Sequence, residues 1–293
     1  MSLQTLKLSF ITLTALMAFA ANSVFCRNAL ESNILGLNKI DPGSFTSIRL
    51  ISGAIFLGCI LFFKYSHFNI FSPHINKPKW RSSLFLFLYA ITFSYGYVSQ
   101  DTGTGALILF GSVQISMICV HIFNGKTLHY SEYIGILIAF LGLVYLVFPN
   151  LNSPSFIGVI LMSASGLAWA LYSINGMGAK HPIDDTAINF IRTIPIAILL
   201  LFINYQSIHI TQAGLWLAIA SGVIASGAGY AIWYAALKSL NVTQASVLQL
   251  SVPIIAALGG VIFTNEILTF RFLLASLFIL GGILLVLFGK KIR

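Results

Sequence analysis

The chain has 293 residues, of which 58% are hydrophobic and only 8% charged, with a mean hydropathy of +0.92 and a formal net charge of +9. A soluble domain usually carries about a quarter charged residues, so this composition excludes an ordinary soluble domain and indicates a protein that lies in lipid. The positive charge sits mainly in short connections between apolar runs, where it reports membrane topology rather than a nucleic-acid partner.

Long apolar runs recur along the whole chain. A helix that crosses the hydrocarbon core needs about 20 mostly apolar residues. These runs are too long and too uniformly apolar for the alternating strands of a transmembrane barrel. The sequence therefore predicts an all-α integral membrane protein with ten transmembrane helices. They lie near residues 8–30, 43–64, 81–100, 104–123, 131–149, 155–178, 186–204, 212–238, 242–263 and 270–289.

The first apolar run also resembles a secretory signal peptide. Ala18, Phe19 and Ala20 have the small-residue spacing of a cleavage site. Removal of residues 1–20 would take away half of the first helix and leave an odd number of spans. We therefore expect this segment to be retained, with its small residues serving close helix packing.

The basic residues separate into two sets when ten spans are assumed. One set of connections holds eleven lysines and arginines, and the opposite set holds Arg27, Lys39 and Arg271. Because cytoplasmic loops carry the excess of basic residues, this bias predicts that both termini lie in the cytoplasm of a multi-pass inner-membrane protein.

Segments of the first half of the chain recur in the second half. Four pairs match in the same order: 18–23 with 168–173, 44–49 with 187–192, 94–116 with 233–255, and 140–147 with 279–287. This order predicts two five-helix domains, residues 1–150 and 151–293. Five is an odd number, so the second domain would be inverted, an arrangement typical of proteins that alternate access to a midplane site.

Polar and aromatic residues recur at helical spacing inside the predicted spans. Since polar groups facing lipid are costly, these residues predict a midplane substrate pocket with aromatic walls and a few amide and hydroxyl groups. The candidates are Phe19, Asn22, Ser23, Tyr97, Gln114, Trp169, Tyr172, Ser173, Trp233 and Gln249. The alternative is that the serines and asparagine join helices and the tyrosines form interfacial belts. For Tyr89 and Tyr230 this structural role is favoured at least as much as a role in the pocket.

Arg49 and Arg192 occupy equivalent positions in the two halves. Arg49 lies six residues into its predicted span, roughly 9 Å along the helix axis. A long side chain at that depth can reach the headgroups, so we expect both arginines to be structural, either reaching the headgroups or forming hydrogen bonds near the helix end. A carboxylate partner for Arg49 would favour a functional role. Arg27 and Glu31, four residues apart, are expected to pair with each other.

Ionisable groups are scarce inside the predicted spans. All seven acidic residues fall in loops or at span ends, and His121 is the only histidine within a span. No carboxylate is therefore placed to carry a proton at the midplane. No nucleophile–base pair, metal-ligand spacing or phosphate-binding loop occurs either, so the sequence predicts no enzyme activity, cofactor or metal site.

The segments IDPGSFTSIRL (40–50), FLGLVYLV (140–147) and NEILTFRFLLASLFILGGILL (265–285), with residues 234–260, resemble the EamA-type branch of the drug/metabolite transporter superfamily. This resemblance implies a ten-helix secondary transporter. The family's mid-helix proline is Pro253 in the second half but Gln114 in the first, and its acidic turn residue is Glu266 but Lys126. The two halves are therefore not equivalent.

These observations lead to the hypothesis of a carrier, exporter or facilitator for a small organic metabolite, with an amino acid or related amine as the best guess. Alternatives are a multidrug or lipophilic-cation efflux carrier and a nucleoside- or nucleotide-type uptake carrier. The expected partners are a small-molecule substrate and membrane lipid. The sequence leaves open the substrate, the direction of flux, the coupling ion and the choice between monomer and homodimer.

Overall fold

The computed structural model describes residues 3–31, 39–65, 80–123, 129–147, 154–176, 181–237, 239 and 248–288. Within these ranges the chain is helical apart from turns, connections and one isolated β-bridge between Ile40 and Ile210. The α-helices are α1 (Leu3–Leu30), α2 (Pro42–Lys64), α3 (Trp80–Tyr97), α4 (Thr102–Phe123), α5 (Tyr130–Val147), α6 (Phe156–Gly176), α7 (Pro182–Ile203), α8 (Gln212–Ala220), α9 (Gly229–Leu237), α10 (Val252–Thr264) and α11 (Phe270–Phe288).

The predicted all-helical architecture is confirmed for the described residues. Six helical stretches there are long and apolar enough to cross a membrane, with α8 and α9 joined into one of them, and α5, α10 and α11 are shorter apolar helices. Most helix ends fall within a few residues of the predicted spans. The count of ten crossings and the side on which the termini lie stay predictions.

The bundle is apolar on its outside and partly polar within. Large apolar side chains such as Phe63, Phe123 and Leu277 are largely exposed on its surface. Meanwhile the polar side chains of Asn22 and Gln114 are buried between helices. This distribution is typical of a protein whose surrounding solvent is lipid, since water would penalise so large an apolar surface.

The helix contacts form a pattern that recurs when the first five spans are exchanged with the last five. Three contacts join equivalent helices: α2 packs on α7, α4 on α10, and α5 on α11. Two further contacts have counterparts, because α6 packs on α3 and α4 while α1 packs on α9 and α10. The pattern of helix contacts is therefore unchanged when the two halves of the chain are exchanged.

The fourth helix of each half differs in continuity. In the first half α4 runs unbroken through Gln114, whereas in the second half turns at Leu250 and Ser251 precede α10, which has Pro253 in its first turn. Proline lacks an N–H and clashes with the preceding turn, so it starts a helix well and interrupts one badly. In the described part of the predicted span 242–263, helix at Leu248 and Gln249 is interrupted by these turns before α10 begins, and residues 240–247 lie outside the described ranges.

A π-helical segment (Ser221–Ala228) joins α8 to α9. Such wide turns are rare and occur frequently at functional sites. Gly222 brings this segment against α2, because an added Cβ would overlap the Ser52 hydroxyl and the carbonyl oxygen of Arg49. The segment therefore depends on a residue without a side chain at this contact.

Substitution Gly222→Ala should destabilise the protein by about 1–3 kcal/mol, because either α2 or the π segment must move to admit the methyl group. Gly58→Ala is the matched control, since an added Cβ at Gly58 meets nothing within 4 Å. Thermal unfolding in detergent should show a lower melting temperature for the first variant only. Equal melting temperatures would contradict the close packing described here.

One end of the bundle, the Arg27 end (Arg27, Tyr97, Thr102 and Glu266), is held by a charged network. Arg27 Nε lies 3.4 Å from Glu266 Oε1, and an Arg27 terminal nitrogen donates to the Tyr97 carbonyl at 3.2 Å. The Thr102 N–H donates to both Glu266 oxygens at 2.9 Å. The expected pair of Arg27 with Glu31 is present at 3.9 Å but is longer than the contact to Glu266.

The opposite end, the Lys64 end (Lys64, Tyr65 and Asp184), has its own bridge between the halves. Lys64 Nζ lies 2.7 Å from Asp184 Oδ1, and the Tyr65 hydroxyl donates to Asp184 Oδ2 at 2.6 Å. Asp184 lies in the first turn of α7, where the helix dipole stabilises a negative charge. Each end of the bundle is therefore bridged by an ionic contact between the first and second halves.

Candidate functional site

Five aromatic side chains meet about halfway between the two ends of the bundle; we call Phe19, Tyr89, Phe93, Trp169 and Tyr230 the aromatic cluster. The Trp169 ring centroid lies 4.9 Å from those of Tyr89 and Tyr230, and 6.1 Å from that of Phe19. Tyr89 and Phe93 are 5.5 Å apart. These separations are those at which aromatic pairs attract, so the rings from α1, α3, α6 and α9 form one connected wall.

The aromatic cluster surrounds a narrow cavity together with Asn22, Ser23, Leu109 and Phe110. The space not filled by atoms amounts to about 310 Å³, but the centre of a water molecule can reach only about 10 Å³ of it. That is about the minimum for one water molecule. A metabolite could therefore enter only if these side chains moved apart.

Asn22 ties the cavity wall to the π segment. Its amide nitrogen donates to the Tyr89 hydroxyl at 3.2 Å, and its amide oxygen accepts from the Ser221 hydroxyl at 2.6 Å. Asn22 is buried, and both bonds join parts of the chain that are far apart in sequence. A movement of the π segment would therefore also displace the Tyr89 ring through Asn22.

Four of the predicted site residues line this cavity: Phe19, Asn22, Ser23 and Trp169. Three others pack behind the wall. Trp233 lies 5.6 Å from the Phe19 ring, Tyr172 lies 5.6 Å from Trp169, and Tyr97 lies 4.8 Å from Phe93.

The remaining predicted site residues do not line the cavity. Gln114 on α4 and Gln249 before α10 are buried, while Ser173 on α6 is half-buried. The structure therefore brings together the candidates on α1, α3, α6 and α9 and leaves these three apart from the cavity.

The structure adds four cavity-lining rings that are not in the predicted set, those of Tyr89, Phe93, Phe110 and Tyr230. Tyr89, Phe93 and Tyr97 are spaced four residues apart, so they occupy one face of α3. This spacing in the sequence could have identified Tyr89 and Phe93 as lining residues. An interfacial belt would place these rings at the helix ends, whereas Tyr89 lies midway along α3 and is buried.

Arg49 lies beside the aromatic cluster, and the expectation that it reaches the headgroups is wrong. The side chain is 1% exposed, with its guanidinium carbon 5.1 Å from the Tyr89 ring centroid and 4.8 Å from that of Phe93. Its Nε donates to the Ser226 hydroxyl of the π segment at 3.3 Å. Arg192, its equivalent in the second half, is instead half-buried with its guanidinium over Trp80.

Three buried polar atoms around the cluster have no hydrogen-bond partner in the described part of the protein: Arg49 Nη1, Trp169 Nε1 and the Tyr230 hydroxyl oxygen. Nearly all buried polar groups in proteins are paired, so each exception calls for an explanation. Within the described residues, no group of three His, Cys, Asp or Glu side chains is arranged to hold a metal ion.

A helical bundle with an apolar exterior, membrane-length helices and a buried polar interior defines a multi-pass membrane protein. The sequence model of the EamA-like transporter family matches residues 6–148 and again residues 156–288. The chain belongs to this family.

Relatives among known proteins cover most of the chain. It is 42% identical to an uncharacterized protein of Pseudomonas aeruginosa over 94% of this chain and 93% of that one. It is 22% identical to the uncharacterized transporter YoaV of Bacillus subtilis, over 85% of this chain and 88% of the relative. A probable amino-acid metabolite efflux pump of Salmonella typhimurium is 24% identical, over 75% of this chain and 81% of the pump.

A solved crystal structure has the same fold. It superimposes with a TM-score of 0.67 over 98% of this chain and 99% of its own, at 14% sequence identity. This likeness shows the fold alone. The family and the relatives' names indicate a transporter rather than an enzyme.

Proposed function

We propose that the protein is a secondary carrier or facilitator that moves a small organic metabolite, an amino acid or a related amine, across the inner membrane by alternating access. The observation that carries this proposal is the aromatic cavity, which lies halfway along the bundle between two ends that are each bridged by an ionic contact. A site between two such bridges can exchange its ligand with either side in turn if each bridge can open separately.

The chemistry of the cavity suits a metabolite that is partly apolar. Ring faces cover an apolar side chain or stack on a cation at about 0.5–2 kcal/mol per contact. The neighbouring Asn22 and Ser23 supply amide and hydroxyl groups that orient polar atoms. The name of the Salmonella relative, a probable amino-acid metabolite efflux pump, supports the same substrate class.

The moving parts of this proposal are two inverted five-helix domains, residues 1–150 and 151–293. Two observations support them: the family model matches the chain twice, and the helix contacts recur when the halves are exchanged. Both ionic bridges join one half to the other, so rocking of the halves would break one bridge while the other holds. With both termini in the cytoplasm, the Lys64 end would face inward and the Arg27 end outward.

Flux measurements on the purified protein in liposomes test this proposal. Radiolabelled amino acids, their amines, nucleosides and sugars would be loaded and their exchange followed over time. We expect saturable exchange for at least one amino acid or amine, inhibited by an excess of the same unlabelled compound. Flux no faster than in empty liposomes for every compound would contradict the proposal.

A further inference from the structure

Arg49 gives the cavity a chemistry that its aromatic walls alone would not have. We propose that the Arg49 guanidinium receives the carboxylate of the substrate. This inference rests on the proposed transport function and narrows its substrate class to organic carboxylates, with amino acids among them and simple amines excluded.

Arg49 carries its charge in the interior of the bundle. Its side chain is buried, and every acidic residue lies within the described ranges, yet no carboxylate comes within 4 Å of it. A buried charge normally has an ionic partner, because desolvation is otherwise left uncompensated. Contacts with two rings and one hydroxyl compensate only part of this cost. The missing partner is an anion.

Arg49 also lies close to the cavity. The guanidinium lies about 5 Å from the centres of the Tyr89 and Phe93 rings, and both rings line the cavity. The cation is therefore only one ring away from the space that a ligand would fill. The lining must in any case move for a metabolite to enter, and a displacement of these two rings would bring Arg49 to the cavity surface.

The unpaired groups in and beside the cavity wall can all donate a hydrogen bond. Arg49 Nη1 and Trp169 Nε1 can only donate hydrogen bonds, and the Tyr230 hydroxyl can donate one. Trp169 and Tyr230 line the same cavity. Unpaired donors on residues in and beside the cavity wall match a ligand group that only accepts. A carboxylate has two acceptor oxygens and a negative charge, and Arg recognises it with two parallel bonds.

The same geometry disfavours a lipophilic cation as substrate. A positive ligand would share the cavity region with a buried arginine that has no acidic neighbour, and the like charges would repel in a medium of low dielectric constant. Aromatic walls alone would suit a cation, so Arg49 is the feature that decides between the two ligand types.

Pairs of compounds that differ by one carboxylate test the proposal without altering the protein. The probes are L-leucine with isoamylamine, L-phenylalanine with phenethylamine, and L-tryptophan with tryptamine, each measured by its effect on the melting temperature of the purified full chain. A ligand bound only by the folded state raises that temperature. We expect stabilisation by at least one amino acid and a much smaller effect of its amine.

Variants at Arg49 test the assignment of the residue. Arg49→Gln should weaken binding of the stabilising amino acid by at least about tenfold and remove the preference over its amine, while Arg49→Lys should retain part of both. Arg192→Gln is the matched control, because Arg192 lies over Trp80 rather than at the cavity. Its preference should equal that of the unmodified protein. Should Arg49→Gln fail to fold, Trp169→Phe is a second variant, which removes a cavity donor. It should weaken binding of the amino acid more than binding of the amine.

The outcomes separate this inference from the proposed function. Equal or stronger stabilisation by the amines would overturn the role of Arg49 and leave an amine carrier standing. An unchanged carboxylate preference in a folded Arg49→Gln would also overturn that role. If no compound of any pair binds and the wider panel in liposomes shows no flux either, the proposed function and the inference fail together.

Discussion

Replacement of Trp169 by alanine is expected to lower the initial rate of transport at least about tenfold. Trp169 contacts the rings of Phe19, Tyr89 and Tyr230, and it lines the cavity. Each ring contact is worth about 0.5–1.5 kcal/mol beyond its apolar area, so loss of the indole removes both a contact surface for the ligand and the support of the other rings. A factor of ten corresponds to about 1.4 kcal/mol, which one such contact can supply.

The measurement is the initial rate of exchange in liposomes, divided by the amount of monodisperse protein incorporated. This correction matters because truncation of a buried tryptophan also costs about 3–5 kcal/mol of stability. Trp216→Ala is the matched control, since Trp216 is a largely exposed residue of α8. Its rate should equal that of the unmodified protein. Normal transport by Trp169→Ala would show that the aromatic cluster is not the substrate site.

Replacement of Glu266 by alanine is expected to destabilise the protein by about 3 kcal/mol. The carboxylate accepts from the Thr102 N–H and hydroxyl and pairs with Arg27. Hydrogen bonds to a charged group contribute about 1.5–3 kcal/mol each, and buried donors left without an acceptor add a desolvation cost. The positive end of the α4 dipole also loses its counter-charge.

The melting temperature in detergent should therefore fall clearly for Glu266→Ala. Glu31→Ala provides the comparison, because Glu31 also approaches Arg27 but has a side chain that is 40% exposed at a longer distance. An exposed pair contributes about 0–1 kcal/mol. A similar small change for both variants would mean that the Arg27–Glu266 contact does not hold this end of the bundle.

Hydropathy and helical spacing predict the features of this protein that the surrounding lipid determines, namely where the helices lie and which helix faces point inward. Apolar runs locate most helices to within a few residues, since a segment in lipid must pair its backbone polar groups internally and therefore forms a helix. The spacing of Phe19, Asn22 and Ser23 places one face of α1 at the cavity. In each case the information is local, within one or two turns of a single helix.

The properties of Arg49, Arg27 and Glu266 could not be predicted in the same way. Whether Arg49 reaches the headgroups or faces Tyr89 and Ser226 depends on how α2 is rotated against its neighbours, which hydropathy does not specify. Arg27 and Glu266 are 239 residues apart, so their contact exists only once α1, α4 and α10 meet. Spacing within α1 alone suggests Glu31, which is closer to Arg27 in sequence but makes the longer contact.

The π segment has a consequence for how proteins of this shape can diversify. Each residue of an α-helix advances the chain by about 100° around the axis but by only about 1.5 Å along it. Loss of a single residue within Ser221–Ala228 would therefore turn Tyr230 and Trp233 away from Phe19 while hardly shortening the membrane crossing. A one-codon insertion or deletion at this place is thus a short evolutionary route to a different set of cavity walls on an unchanged scaffold.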